Sequence, residues 1–327
     1  MAGKLLILWL AIHSGIAQDT PAKFSATSRL VLAPVRVTDR AGKSVDGLSA
    51  GDFELYDQGR ARAFEVETSF APISLVVAIQ SSLISGPALA KVQKIGSLIQ
   101  PLVVGERGHA AVLTYSDMVT LRQDFTSDPA LLAAAFRGIE PDGSGAAMHD
   151  AIAESVRMLA ARNNSRRSIV IVIGEAKDRS SKLKIDEVVS KAQAANIVVY
   201  PISYSAYWTA FTSKGAEEFA SGRRVYEPAG GMNILAVFQE IGRAGSKNGH
   251  EILAQYTGGL KSSFVKLKGL EETLQRVGED LHSQYLLSFA ASGDEASSGY
   301  HEIRIRVRGC PDCQVRHRPG YWRVAPD

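Results

Sequence analysis

Two cysteines, Cys310 and Cys313, stand three residues apart in Cys-Pro-Asp-Cys, a spacing that also serves redox sites. Redox pairs of this kind sit at a helix N-terminus, where the thiol pKa is lowered. Here the motif follows the alternating stretch Glu302–Arg308 and precedes a further short strand, so it reads as a hairpin tip. A structural disulfide is the expectation, since an oxidising compartment lets the pair form. Reduced thiols, a redox role or a metal role are the alternatives. Closing so small a loop adds about 2 kcal/mol at most.

Other residues with chemical potential are less organised. Glu175 and Asp178, in Gly174-Glu175-Ala176-Lys177-Asp178, could act as a carboxylate pair, although a charge-rich loop explains them as well. Asp142-Gly143-Ser144-Gly145 is glycine-rich but lacks the lysine of a phosphate-binding loop, so it reads as a turn. The seven histidines are scattered without ligand spacing, and His149 reads as a surface or packing residue. No nucleophile elbow, Walker loop, H-E-x-x-H or dinucleotide fingerprint occurs. The segment Tyr204–Phe211 holds four aromatic residues in eight. Either Tyr204, Trp208 and Phe211 form the buried face of a short helix, or Tyr207 and Trp208 are exposed and contact a partner. Arg304, Arg306, Arg308, Arg316 and Arg318 form a basic stripe, expected to be a solvated outer face. Its alternative use is contact with an anionic glycan or envelope surface.

The elements that must position these residues follow from periodicity. Val31, Ala33, Val35 and Val37 recur at period two, Asp39–Lys43 turns, Asp52–Tyr56 is a short strand, and Ala61–Val66 returns after Asp57-Gln58-Gly59. From residue 73 the pattern changes. Ile73–Ile79, Ser168–Ile173 and Ile197–Ile202 are nearly continuous apolar runs, as in strands buried on both faces of a parallel sheet. Ala110–Tyr115 and Val119–Phe125 are strand-like. Helical patterns cover about 86–99, Ala147–Ala161 and Ile185–Ala195. Strands alternating with helices predict an α/β fold, a Rossmann-like doubly wound and mostly parallel sheet. Residues 231–282 mix helix and turn, with one short strand near Ser263–Val265. Gln284–Phe289 and Glu302–Arg308 are strands, the latter with Ile303, Ile305 and Val307 inward. The β segments at the two ends are each too small to stand alone, so they are expected to pair into a smaller β domain.

The bulk composition excludes little. Of 327 residues 45% are hydrophobic and 22% charged, an ordinary globular mix, and the net charge of +3 gives no footprint for nucleic acid. The N-terminus is more telling. Lys4, the apolar run Leu5–Ile12, and small residues at Ser14, Gly15 and Ala17 read as a signal peptide over residues 1–17. The mature protein is then exported, periplasmic or secreted, with no membrane span once the signal is cleaved. An uncleaved anchor is the alternative. The expected organisation is a β segment over 24–70, an α/β domain over 71–282 and a second β segment over 283–327.

In this order the elements resemble a von Willebrand factor A domain, and more closely the exported VWFA-related proteins abundant in Acidobacteria. The resemblance is carried by Val45-Asp46-Gly47-Leu48 through Asp52-Phe53-Glu54-Leu55-Tyr56 to Gly59, by Ala147-Met148-His149-Asp150-Ala151 for A-L-Y-D-A, by Ser283–Leu287 for S-x-Y-x-L, and by Arg318–Tyr321 for R-x-G-Y. It implies a site at the C-terminal edge of the sheet, where loops converge. In metal-binding members D-x-S-x-S, a Thr and a later Asp hold Mg²⁺ there. Laid on this sequence, those positions are Gln80, Ser82 and Ile84, then Ala146, then Glu175, with Ser85 one step beyond Ile84 and Ser144 near Ala146. Two positions have lost oxygen and one has lost charge, while Mg²⁺ demands an octahedral oxygen set with carboxylates. The expectation is a pseudo-site with no bound metal and no cofactor, in a non-enzymatic module that binds a protein partner of the cell envelope. The alternatives are a metal-dependent adhesin with altered ligands and a serine hydrolase using Ser82 or Ser144.

Overall fold

The computed structural model describes residues 30–67, 71–162, 167–204, 249–291 and 299–323. The central sheet has six strands. Its core is β5 (Ile73–Gln80), β6 (His109–Tyr115), β8 (Arg167–Gly174) and β9 (Val198–Ser203), with β7 (Val119–Thr126) on one edge and β10 (Ser262–Ser263) on the other. The order is β10-β9-β8-β5-β6-β7, parallel throughout except for β7, which runs back along β6. The continuous apolar runs of β5 and β8 are there because helices cover both faces. Leu75, Val77, Ile79, Ile169, Ile171 and Ile173 point to α1 (Gly86–Val92), α2 (Pro129–Arg137) and α5 (Leu267–His282). Val76, Ala78, Val170 and Val172 point to α3 (Met148–Ala161), α4 (Ile185–Ala194) and the helical residues 249–257. Alternate residues of one strand thus feed two cores.

The chain ends pair as expected. β1 (Leu30–Thr38) lies between β11 (Tyr285–Ala290) and β13 (Gln314–Arg316), with β4 (Glu65–Glu67) beyond β11. β2 (Phe53–Asp57) pairs with β12 (Gly299–Val307), flanked by β3 (Arg60–Ala61) and β14 (Gly320–Arg323). The two antiparallel four-stranded sheets close on a core that includes Val35, Val37, Phe53, Leu55, Phe289 and Ile305. The return expected over Ala61–Val66 is split, because β3 stays with β2 whereas β4 crosses to the other sheet. Cys310 and Cys313 form the disulfide at the hairpin tip between β12 and β13.

Three readings need correction. The helix expected over 86–99 ends at Val92 and continues as a 3-10 turn at Gly96–Leu98 and a π turn at Gln100–Val104. A Cβ on Gly96 would lie 2.7 Å from Phe136 Cβ, so α2 packs directly on this backbone, and Pro101 lacks the N–H that a regular helix needs. Helix α2 itself went unassigned, although Asp128 caps it through the Ala130 N–H (2.7 Å) and Pro129 opens it. The basic stripe is not uniformly solvated. Arg304, Arg306 and Arg308 are exposed, but Arg316 and Arg318 turn inward toward the α/β domain.

That inward turn fixes the β domain to the N-terminal edge of the parallel sheet. Asp280 of α5 accepts from Tyr200 Oη (2.8 Å) and Gln284 Nε2 (3.0 Å), is ion-paired with Arg316, and lies 3.7 Å from Arg36 Nε. Arg167, the first residue of β8, donates to Gln284 (2.7 Å) and to the Leu281 carbonyl (2.6 Å). Arg318 is buried against Asn196 (3.2 Å), and burial pulls its guanidinium pKa down to about 10. Asn196 in turn holds β1 through the Leu32 N–H and the Leu30 carbonyl, both at 3.1 Å. The C-terminal edge, at the far end of the sheet, is left uncovered by the β domain. Among the described residues no helix is long and apolar enough to cross a membrane.

Candidate functional site

The loops after β5, β6 and β8, together with the loop leading into α3, meet at the C-terminal edge. Gln80, the last residue of β5, is 1% exposed and both ends of its amide are used. Nε2 donates to Ser82 Oγ (2.7 Å), and Oε1 accepts from the Glu175 N–H (2.8 Å). The amide therefore ties the first loop to the third. Gly174 lies against this knot, since a Cβ there would come 2.0 Å from Tyr115 Oη and 2.9 Å from Gln80 Oε1. Tyr115 is fully buried, and burial pushes its phenol well above the ordinary value, with Tyr204 and two rim carboxylates adding to the effect. Ser85 donates to the Ser82 carbonyl, and Ser81 Oγ donates to Asp142 (2.7 Å).

The remaining positions are also spoken for. The Ala146 methyl is buried, and its backbone is bridged to the β8–α4 loop by Ser180 Oγ (2.8 Å) and the Arg179 N–H (3.1 Å). Glu175 accepts from Arg179 Nη2 at 2.5 Å. Asp178 accepts from the His149 N–H (3.0 Å) and from Ser181 Oγ (2.6 Å), so it caps the start of α3. Glu175 and Asp178 are thus not a working pair, because each carboxylate has its own donors. His149 packs against the loop, with Nδ1 3.1 Å from the Leu183 carbonyl. Among the described residues neither Ser82 nor Ser144 is hydrogen-bonded to a histidine, the partner a serine nucleophile needs.

This donor set does not fit Mg²⁺. Gln80 brings an amide whose oxygen is committed to a backbone N–H, Ala146 brings a methyl, and Ile84 points an apolar side chain to solvent. The one carboxylate, on Glu175, already holds a guanidinium. Among the described residues no three His, Cys, Asp or Glu side chains gather closely enough to hold a metal ion.

What the rim does offer is apolar surface. Leu83 and Ile84 are 64% and 46% exposed on the loop after β5, and Met118 is 76% exposed at the β6–β7 hairpin tip. They flank the Asp142–Gly145 turn, to which both loops are bonded through Leu83 N–H to the Gly143 carbonyl (3.0 Å) and Ser144 N–H to Asp117 (2.9 Å). Sequence reading found Ile84 only as a missing ligand, and missed Leu83, Met118 and Arg179. An apolar pair set between serines and Gly86-Pro87 was the available signal for the first. Of the aromatic segment, Tyr204 is buried with its ring edge-on to Phe264 at 5.8 Å, while Tyr207, Trp208 and Phe211 lie outside the described residues.

The open, mostly parallel sheet flanked by helices, with loops meeting at its C-terminal edge, is a doubly wound α/β fold. Residues 81–229 match the von Willebrand factor type A domain family. That match takes in just under half of the chain and most of the α/β region, which is joined to a β domain built from the chain's two ends. It is similar in structure to a von Willebrand factor type A protein from Catenulispora acidiphila, with 9% identity over 92% of this chain and 76% of that one (TM-score 0.46). An aerotolerance-related membrane protein from Bacteroides fragilis aligns at 12% identity over 63% of this chain and 98% of that one (TM-score 0.43). The vWF domain of the type V pili tip protein Mfa5 from Porphyromonas gingivalis aligns at 19% identity over 32% of this chain (TM-score 0.27), and this chain spans only 38% of it. No curated protein matches the chain.

Proposed function

We infer that this protein is a non-enzymatic binding module whose partner is a protein docked on the C-terminal rim of the A domain, without a metal ion. The observation that carries this reading is the pairing of a closed, neutral network at Gln80, Ser82 and Glu175 with exposed Leu83, Ile84 and Met118 around it. Large apolar side chains left in water on adjacent loops mark contact surfaces. The signal-like N-terminus supports a place in the cell envelope or outside the cell, with the Cys310–Cys313 disulfide in keeping with an oxidising compartment. Tyr207 and Trp208 are proposed as further contacts for that partner.

The test is capture of envelope proteins on the immobilised full chain, with and without EDTA, comparing the parent with Ile84→Ser and Trp208→Ala. The reading expects recovery that is unchanged by EDTA and reduced by Ile84→Ser. Recovery abolished by EDTA would favour a metal-dependent adhesin. Equal recovery by parent and Ile84→Ser would remove the rim from the account, and equal recovery by Trp208→Ala would remove the aromatic contact.

A further inference from the structure

The β8–α4 loop carries four cations, Lys177, Arg179, Lys182 and Lys184, and all four are exposed. Apart from Glu175, the carboxylates in and next to this loop are engaged by backbone donors. Asp178 holds the His149 and Ser181 N–H groups (3.0 and 3.1 Å). Asp150 takes the Lys182 and Leu183 N–H groups (both 3.0 Å). Glu187 caps its helix through the Lys184 N–H (2.8 Å). Only Arg179 among the four has an acidic partner within the described residues, Glu175. The free charge this loop shows to solvent is therefore positive. Asp117 and Asp142 are exposed on the rim as well: Asp117 lies against Gly145 beside Ser180 of this loop and accepts from the Ser144 N–H (2.9 Å), and Asp142 accepts from Ser81 Oγ (2.7 Å) and lies 3.9 Å from Arg122 Nη2. Leu83 and Ile84 stand exposed on the loop after β5, the strand next to β8 in the sheet, so they neighbour this basic loop.

From this arrangement we propose that the partner presents an acidic segment interrupted by apolar residues. Its carboxylates are taken by Lys177 and Arg179, and its apolar side chains lie on Leu83 and Ile84. The proposal rests on the rim reading above and adds the chemistry of the partner. Arg179 suits the role, because its planar fork can hold Glu175 on one edge and offer the other outward. Opposite charge on such an exposed rim contributes chiefly orientation and encounter rate, with the apolar contact supplying most of the affinity.

The experiment is selection of a random-peptide phage library on the immobilised full chain, followed by fluorescence polarisation with the enriched peptides as labelled probes. The expected result is enrichment of sequences with Asp or Glu beside Leu, Ile, Val or Phe. Their affinity should fall about tenfold in Lys177→Gln/Arg179→Gln and comparably in Ile84→Ser, and should weaken as salt rises. Both variants alter exposed side chains, and unchanged melting temperatures will show that they fold. Enriched peptides that are basic or uncharged, yet depend on Ile84, would overturn the acidic partner and leave the rim standing. No enriched peptide depending on Ile84, Lys177 or Arg179 would overturn both.

Discussion

Gln80→Leu is the substitution that most directly probes how the rim is closed. Leucine is close to glutamine in size and suits a site that is 1% exposed, so packing is largely kept while both amide hydrogen bonds are lost. The Glu175 N–H loses its acceptor and Ser82 Oγ, itself fully buried, loses its donor. Each unsatisfied buried partner costs about 1–3 kcal/mol, and with Glu175 only partly buried the sum comes to roughly 2–4 kcal/mol. Urea unfolding followed by circular dichroism measures it. Gln80→Leu/Ser82→Ala should be less destabilised than the sum of the single variants, by about 1 kcal/mol, because the two residues share one bond. A loss below about 1 kcal/mol for Gln80→Leu, or strict additivity in the cycle, would refute the closed network. Gln80→Glu adds a sign test. A carboxyl buried there beside Glu175 has its folded pKa raised above the unfolded value of about 4.3, so its penalty should grow as pH rises from about 4 to 7.

Asp280→Asn removes the charge that Arg316 and Arg36 share at the joint between the two domains, and should cost about 3–5 kcal/mol in urea unfolding, with Arg316→Met in the same background restoring part of it. His250 is fully buried beside Met148 Sδ (3.2 Å), and burial, reinforced by Lys261 and His149, lowers its pKa to about 3. The folded state thus keeps it neutral, so stability present above pH 6.5 should be lost as pH falls from there toward 3, by a few kcal/mol, and His250→Gln should flatten that limb of a melting-temperature profile. Gly174→Ala forces a methyl onto Tyr115 Oη and the Gln80 amide, and should cost about 1–3 kcal/mol in the same unfolding assay while leaving the β domain intact by circular dichroism.

The fold was legible wherever one strand or helix imposes its own period. The runs at Ile73–Ile79 and Ser168–Ile173 are almost wholly apolar because helices lie on both faces, and the Val31–Val37 alternation marks a strand with one fully apolar face. Helix α2 was lost because its small apolar run, Ala130–Phe136, has a weak polar face, even though Asp128-Pro129 announces its start. The early end of α1 depends on Phe136 reaching Gly96 from forty residues away, which no local pattern records. Arg316 and Arg318 misled for a similar reason. Their alternation with His317 reads as an exposed strand face until the Asp280 and Asn196 that receive them, more than a hundred residues away in the latter case, are in place. At the rim the positions Gln80, Ser82, Ala146 and Glu175 do converge, but sequence supplied only what they lack. That the Gln80 amide fills its own site, and that Arg179 is drawn onto Glu175, are tertiary facts.

Calorimetric titration of the full chain with Mg²⁺ and with Mn²⁺ tests the central claim, that this rim works without an ion. No saturable binding is expected up to millimolar metal, since the Gln80 oxygen is held by the Glu175 N–H and the Glu175 carboxylate by Arg179. Stoichiometric binding at micromolar concentration would contradict it.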